Sequence, residues 1–501
     1  MKCFENVGAF THEEQRSERH FYMPAKQFLA LDLFCAGIGN AVFRYLPFRR
    51  KETREARTIE KPTASASTFR LTRPAGGDPK TSAHLTNIKG ETTMKFNTAF
   101  RSADILLPAD ANMTKWAVVA CDQYTSEPEY WARAEEVVGD APSALRLVLP
   151  EIYLEQEGVE ARIAKINENI DSYLANGIFK EYKNALVYLE RVQADGKLRQ
   201  GLVGAIDLEE YDYHKGSTSR VRATEATVPE RIPPRLKIRE NAGAELPHIM
   251  ILIDDELKTV IEPLKGNCPE KLYDFELMLG GGVARGYLVP EELHAQIDSA
   301  LLKLSDKCDM LYAMGDGNHS LATAKEHYEK LKRENPDKDL SNHPARYALC
   351  EVVNLHSEAL EFEAIHRIVT EADTADLLER LEEKLGLSNE KSEQGLWVVL
   401  GGKRVRKYIH NPLSKLTVGS LQIFLDEYIK ANGCKIDYIH GADVLAKLSE
   451  EPNSIGFELE TMRKEELFPA VVADGALPRK TFSMGHAYDK RYYLEAKKIV
   501  E

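Results

Sequence analysis

The chain has 501 residues, 43% hydrophobic and 29% charged, which suits a soluble globular protein with a sizeable core and excludes a small disulfide-stapled scaffold. No apolar run reaches the ~20 residues of a bilayer-crossing helix, and Glu13, Glu14 and Glu18 stand where a secretory leader would have its apolar centre, so neither a membrane span nor secretion is expected. The net charge of -13 divides unevenly, with 15 Lys and Arg against 10 Asp and Glu in residues 1–93 (+5) and -18 on the remainder; an acidic body argues against general nucleic-acid binding.

Seven cysteines (Cys3, Cys35, Cys121, Cys268, Cys308, Cys350 and Cys434) are widely spaced, odd in number and without a Cys-x-x-Cys pair. That pattern predicts reduced thiols and a cytoplasmic location. Residues 49–93 are polar, rich in Thr, Arg, Lys, Pro and Gly, and show no sustained apolar period. Residues 1–93 are therefore expected to be a poorly ordered extension, with Met94 as the true or alternative start. Within it, "LDLFCAGIGN" at 31–40 resembles the S-adenosylmethionine loop of DNA cytosine methyltransferases, but their Pro-Cys nucleophile has no counterpart, since none of the seven cysteines follows a proline.

From Met94 onward, strand and helix signals are mixed. "KWAVVACDQY" (115–124) reads as a buried strand running into a polar turn, which places Asp122 and Tyr124 near a cleft and leaves Cys121 as a core thiol. Ile163, Ile166, Ile170 and Leu174 have helical spacing, with Gly177 beyond as a stop. Two β-rich runs flank Asp195-Gly196 over 185–208, a hairpin signal. "PHIMILIDD" (247–255) is a short strand, a helix after Pro290 carries Leu293, Ile297, Leu301 and Leu304, and "DMLYAM" follows as a strand. A second hairpin, 396–410, turns at Gly401-Gly402.

After the strand ending near Met314, Gly315-Asp316-Gly317-Asn318-His319-Ser320 leads into a helix with Leu321, Ala324, Tyr328 and Leu331 on one face and an expected Glu326–Lys330 pair on another. The first N–H groups of a helix lack internal partners and sit at the positive end of its dipole. Glycines just before such an end let an anion approach the backbone closely, so strand, turn and helix make an anion-binding arrangement. In it Asp316 can hold Mg²⁺ or accept a hydroxyl proton, and Asn318 and His319 can donate to phosphate oxygens. The same residues also suit a plain helix start, with Asn318 or Ser320 as cap and His319 as packing.

Most of the segment from Met94 to Glu501 resembles the bacterial family known as domain of unknown function 1015. Its Asp-Gly-His-His-Arg turn is matched by Asp316, Gly317 and His319, with departures at Asn318 and at Ser320, where an Arg is expected. "RATEATVPERIPPRLKI" (222–238), "EFEAIHRIV" (361–369) and "ALPRKTFSMGH" (476–486) follow in the family's order. The family turn in turn resembles that of the ParB/sulfiredoxin-like superfamily. This implies an α+β fold, with mixed sheets and packed helices: a ParB/sulfiredoxin-like core plus an additional α/β lobe. Residues 94–345 would carry the turn, and 346–501 would form a second α/β region whose C-terminal segment returns to the core.

The resemblance also implies a site. Asp316, His319 and Glu225 would be catalytic, and Gly315, Gly317, Asn318, Ser320, Arg222, Thr227, His366, Arg367, Lys480 and Thr481 would bind phosphate or ligand. Ser320 cannot supply the bidentate clamp of a guanidinium, so Arg222, Arg235, Arg367 or Lys480 must reach the site or phosphate affinity falls. The expected activity is nucleotide-dependent phosphoryl transfer from ATP or ADP, with Mg²⁺ on Asp316, to a small hydroxylated metabolite. The alternatives are a regulator that binds nucleotide or metabolite without turnover, and a ParB-like nucleic-acid binder, which the acidic body disfavours.

Overall fold

The computed structural model describes residues 98–214 and 216–501; the expected extension, its methyltransferase-like loop and Met94 lie outside the described residues. Around Asp195-Gly196 the hairpin forms as its sequence dictates. Val187–Val192 and Leu198–Asp207 pair antiparallel, with Gly196 at φ 84° in the turn. Strand side chains alternate between faces, so Val187 and Leu189 enter one core while Leu186 and Tyr188 enter another.

This hairpin belongs to a ten-stranded sheet. At its centre Met250–Ile253 runs parallel to Tyr347–Asn354 and antiparallel to Tyr312–Asp316, which runs parallel to Val221–Arg222. The fold is therefore mixed α/β with a mixed sheet. On one face lies the helix Val159–Ala175, burying Ile163, Ile166 and Ile170, each worth about 1.5–3 kcal/mol of apolar burial. Against the other pack Glu291–Ser305 and Asn318–Glu334 through Ile297, Leu301, Leu304, Leu321, Ala324 and Tyr328.

A second sheet of six antiparallel strands includes His366–Thr370, Gln394–Leu400, Lys403–Ile409 and Ile455–Leu459. Gly401 and Gly402, at φ 55° and 73°, make its hairpin turn. Met250, Leu252, Ala313 and Val353 of the first sheet share a core with Leu381, Leu421 and Phe457 of this second region. Alternate residues of one central strand thus serve two cores: Ile251 and Ile253 point to the other. The first sheet extends to Asn354, past the expected boundary near 345.

Two local expectations need correction. The run 115–124 is not one long strand: a helix, Met113–Trp116, precedes the two-residue strand Val118–Val119, whose partner is only Tyr492–Tyr493. The Glu326–Lys330 pair does not form either; Lys330 pairs with Glu240 and Glu334, and Glu326 accepts from the Tyr213 hydroxyl at 2.8 Å. Glu240 and Tyr213 lie off the helix, and these tertiary contacts draw Lys330 and Glu326 away from an i,i+4 pair worth only tenths of a kcal/mol.

The C-terminal segment threads back across the first sheet's end. Leu477 bridges Glu225 in parallel, Tyr492–Tyr493 joins Val118–Val119, and Lys497–Lys498 joins Ala244–Glu245. Among the described residues no helix is long and apolar enough to cross a membrane. The five described cysteines are free thiols.

Candidate functional site

The turn begins where Tyr312–Asp316 leaves the sheet. Gly317, at φ 78°, is the residue that starts the helix Asn318–Glu334, with no side chain capping it, so neither Asn318 nor Ser320 is a cap. A Cβ on Gly317 would lie 3.1 Å from Ile249 Cα; both the left-handed conformation and the tight packing require glycine. Asp316 Oδ1 accepts from the Gly317 N–H at 2.9 Å, which fixes the carboxylate across the bend. Its Oδ2 and the Asn318 Oδ1 are buried without a hydrogen-bond partner. Oδ2 instead faces Lys490 Nζ at 3.5 Å, an ion pair in which both side chains are 15% exposed.

Glu225 is brought beside this turn by backbone pairing. The Thr224 hydroxyl donates to Met314 O at 2.7 Å, and Leu477 N–H donates to Thr224 O at 2.7 Å, so 224–226 is held between the strand end and the returning segment. Glu225 Oε1 accepts from the Lys480 N–H at 3.1 Å. Lys480 has φ 59°, an unfavourable conformation for a non-glycine residue that this bond helps to hold. Burial pushes the Glu225 carboxyl above the usual range; Lys480 and Lys490 oppose the rise and the Asp316 charge adds to it.

These groups line one cleft of about 960 Å³, within the ~300–1,000 Å³ typical of ligand sites. His319 lies on its wall, and its Nε2 accepts from the Val228 N–H at 3.3 Å, which leaves the ring proton on Nδ1. Burial, reinforced by Arg235 and Arg231, lowers its pKa to about 4, so at neutral pH it is an uncharged imidazole. His248 is wedged between Tyr493 Oη (2.8 Å from Nδ1), Ser320 Oγ (3.3 Å from Nε2) and Asp122 Oδ2 (3.7 Å from Nε2). Burial pushes the Asp122 carboxyl up, but His248, Gln123 and Lys490 outweigh it and the net shift is downward.

The cleft brings together Gly315, Asp316, Gly317, Asn318, His319, Ser320, Glu225 and Lys480. Other expected residues lie elsewhere. Arg222 is buried and donates through Nε to Ser219 O at 2.8 Å. Thr227 stands off the wall formed by its neighbours Ala226 and Val228. His366 and Arg367 fall on an interior strand flanked on both sides, and both side chains are buried on protein partners. There His366 Nδ1 accepts from Leu459 N–H at 3.2 Å, and Arg367 stacks 5.0 Å above Tyr438 while bonding Gln422 Oε1 at 3.1 Å and Arg479 O at 3.4 Å. Thr481 is buried and donates to Pro478 O at 2.6 Å. Tyr124 stacks on Tyr130 at 3.7 Å. Cys121 is a thiol whose pKa burial pushes far up.

Sequence reading missed Lys490, His248, Arg231 and Arg479, all on the cleft. Lys490 lies four residues past the last recognised segment, and nothing local marks it; three buried guanidiniums place it. Arg191 Nη2 donates to Tyr488 O at 2.8 Å and its Nη1 to Lys490 O at 3.4 Å, and Arg199 Nη1 donates to Asp489 O at 2.8 Å. Arg491 bonds Glu351 at 3.0 Å and Glu495 at 2.6 Å, so both of these buried carboxylates have a cationic partner. Of the cations expected to reach the site, Arg235 and Lys480 line the cleft, and Lys490 joins them.

No cluster of three or more metal-ligating side chains occurs among the described residues. Asp316 Oδ2 makes no hydrogen bond but is ion-paired with Lys490, so a Mg²⁺ ion, which commonly takes one carboxylate and completes its shell with phosphate oxygens and water, would have to displace the ammonium there. When bound, the ion would offset phosphate charge.

The family model for proteins of unknown function called DUF1015 matches residues 103–428, and the chain belongs to that family. The matched span ends before Lys480 and Lys490. No curated protein matches. Similar solved structures include a conserved hypothetical protein from Pyrococcus furiosus, at 13% identity over 56% of this chain and 94% of that one, with a TM-score of 0.30. C-terminally truncated SbnI from Staphylococcus aureus gives 10% identity, 56% and 82% coverage and 0.30; a free serine kinase in complex with AMP gives 14%, 58% and 93%, and 0.33. Likeness at this level assigns no ligand.

Proposed function

We propose that the cleft binds phosphate groups and that the chain is a nucleotide-dependent phosphotransferase acting on the hydroxyl of a small metabolite. The observation that carries this reading is the convergence, in one open cleft, of an uncapped helix start, two lysines and a carboxyl with a raised pKa. The helix start and Lys490 suit the phosphates. Glu225, destabilised as an anion, suits the proton of the attacking hydroxyl. The acceptor oxygen forms a bond to the terminal phosphorus of ATP or ADP, the bond from that phosphorus to its bridging oxygen breaks, and the hydroxyl proton passes to Glu225. His319 stays neutral and donates through Nδ1, while Asp316 orients Lys490 and holds the turn. Positioning and charge stabilisation of this kind supply most of the catalysis in phosphoryl transfer.

The test is incubation of the full chain with labelled ATP or ADP and a mixture of small alcohols and sugars, followed by separation of labelled phosphate esters. Ester formation that disappears in Glu225→Gln supports the reading; absence of nucleotide binding overturns it. Ser320, in place of the family's arginine, favours a second reading, binding without turnover, for which tight nucleotide binding with no ester would be the signature. The cleft has a small-molecule volume with carboxylates set among its cations, which does not fit a ParB-like role on nucleic acid.

A further inference from the structure

Beside the cleft opens a second, mainly apolar cavity of about 140 Å³. Leu149, Ile170, Ile238 and Ala242 contribute to its wall. It shares Glu151, Arg235, His248 and Ser320 with the phosphate cleft, so the two spaces meet at the first turn of the helix Asn318–Glu334. Arg235 is ion-paired with Glu151 at this border, so the pair presents no net charge to whatever crosses it. An apolar cavity of roughly 150 Å³ is dry and takes benzene, which sets the scale of the occupant.

We infer that the ligand whose anionic group rests on the 315–320 turn also carries a benzene-sized apolar substituent, an aryl or branched alkyl group, that seats in this cavity. This rests on the phosphate-binding reading and narrows it: the acceptor is an alcohol bearing such a group, and the product is its phosphate monoester. Ser320 and His248, present on both walls, face the junction between the polar and apolar ends of that molecule.

Calorimetric titration of the full chain with inorganic phosphate and with phenyl phosphate tests the inference. Phenyl phosphate is expected to bind at least roughly tenfold tighter, from burial of its ring. Ala242→Phe, which fills the cavity, is expected to abolish that advantage while leaving inorganic phosphate affinity within about twofold. Should Ala242→Phe not fold, methyl resonances of Ile170 and Ile238 in the unaltered chain decide, by shifting with phenyl phosphate and not with inorganic phosphate. Equal affinities in the unaltered chain, with inorganic phosphate bound, overturn the cavity assignment alone. Failure of both ligands to bind overturns the phosphate reading together with it.

Discussion

Replacing Lys490 by methionine removes the ammonium and keeps an unbranched apolar stem to pack in its place. The charges it separates are 3.5 Å apart, where two unit charges attract by roughly 4–5 kcal/mol at an effective dielectric near 20. Both groups are largely withdrawn from water, so desolvation offsets most of this and the net loss of stability is expected at about 1–2 kcal/mol. The larger effect falls on the ligand. A charge-assisted hydrogen bond contributes about 1.5–3 kcal/mol, so phosphate affinity is expected to fall about 10- to 150-fold. Lys490 also lowers the carboxyls of Glu225 and Asp122; without it both bind protons more readily, which further slows any step that needs Glu225 ionised. Calorimetric titration with inorganic phosphate at neutral pH reads the affinity, denaturant unfolding reads the stability, and Lys490→Arg is expected to stay within a few-fold of the original. Unchanged affinity in a folded methionine variant refutes the assignment of Lys490 to the anion.

Glu225→Gln keeps an oxygen for the Lys480 N–H but loses the base, so turnover is expected to fall about 10²–10⁴-fold with little change in phosphate affinity; equal losses in both would contradict the role. Because the folded pKa of Glu225 lies above its unfolded value, its protonated form contributes stability below the unfolded pKa that is lost as pH rises through the folded one, while activity rises over the same interval; Gln abolishes both slopes. His319 shifts the other way, to about 4 from 6.5. Its contribution is present above 6.5 and lost as pH falls toward 4, and nitrogen-detected NMR at pH 6 is expected to show a neutral Nδ1–H ring; a charged ring there would contradict the described wall. Arg191→Met strips buried donors from Gly281, Tyr488 and Lys490 carbonyls. Each buried carbonyl left unsatisfied is expected to cost about 1–3 kcal/mol, and amide exchange around 488–490 is expected to speed up, whereas unchanged exchange would separate the guanidinium from Lys490's placement.

What could be read from the chain was what is local. Ile163, Ile166 and Ile170 repeat at helical spacing and become a buried stripe; Asp195-Gly196 demands a tight turn and receives one. The bend at 315–320 was readable for the same reason, since glycine, helix start and apolar strand lie within a few residues of one another. Lys490 and His248 were not, because their meaning depends on contacts across the fold: His248 meets Tyr493, and Lys490 meets Asp316. His366 and Arg367 show the converse. A polar pair after an apolar run suggests a strand end at a ligand, yet the strand continues between two neighbours and both side chains find protein partners. Sequence pattern fixed their residue types and not the number of strands beside them.

The path of residues 476–493 has a consequence for the order in which the molecule can become competent. Until that stretch has emerged from the ribosome, Asp316 lacks its ion pair with Lys490 and residues 224–226 lack the bonds to the Leu477 and Lys480 backbone. A nascent chain halted before residue 476 would lack both lysines of the cleft and the backbone N–H that holds the Glu225 carboxylate.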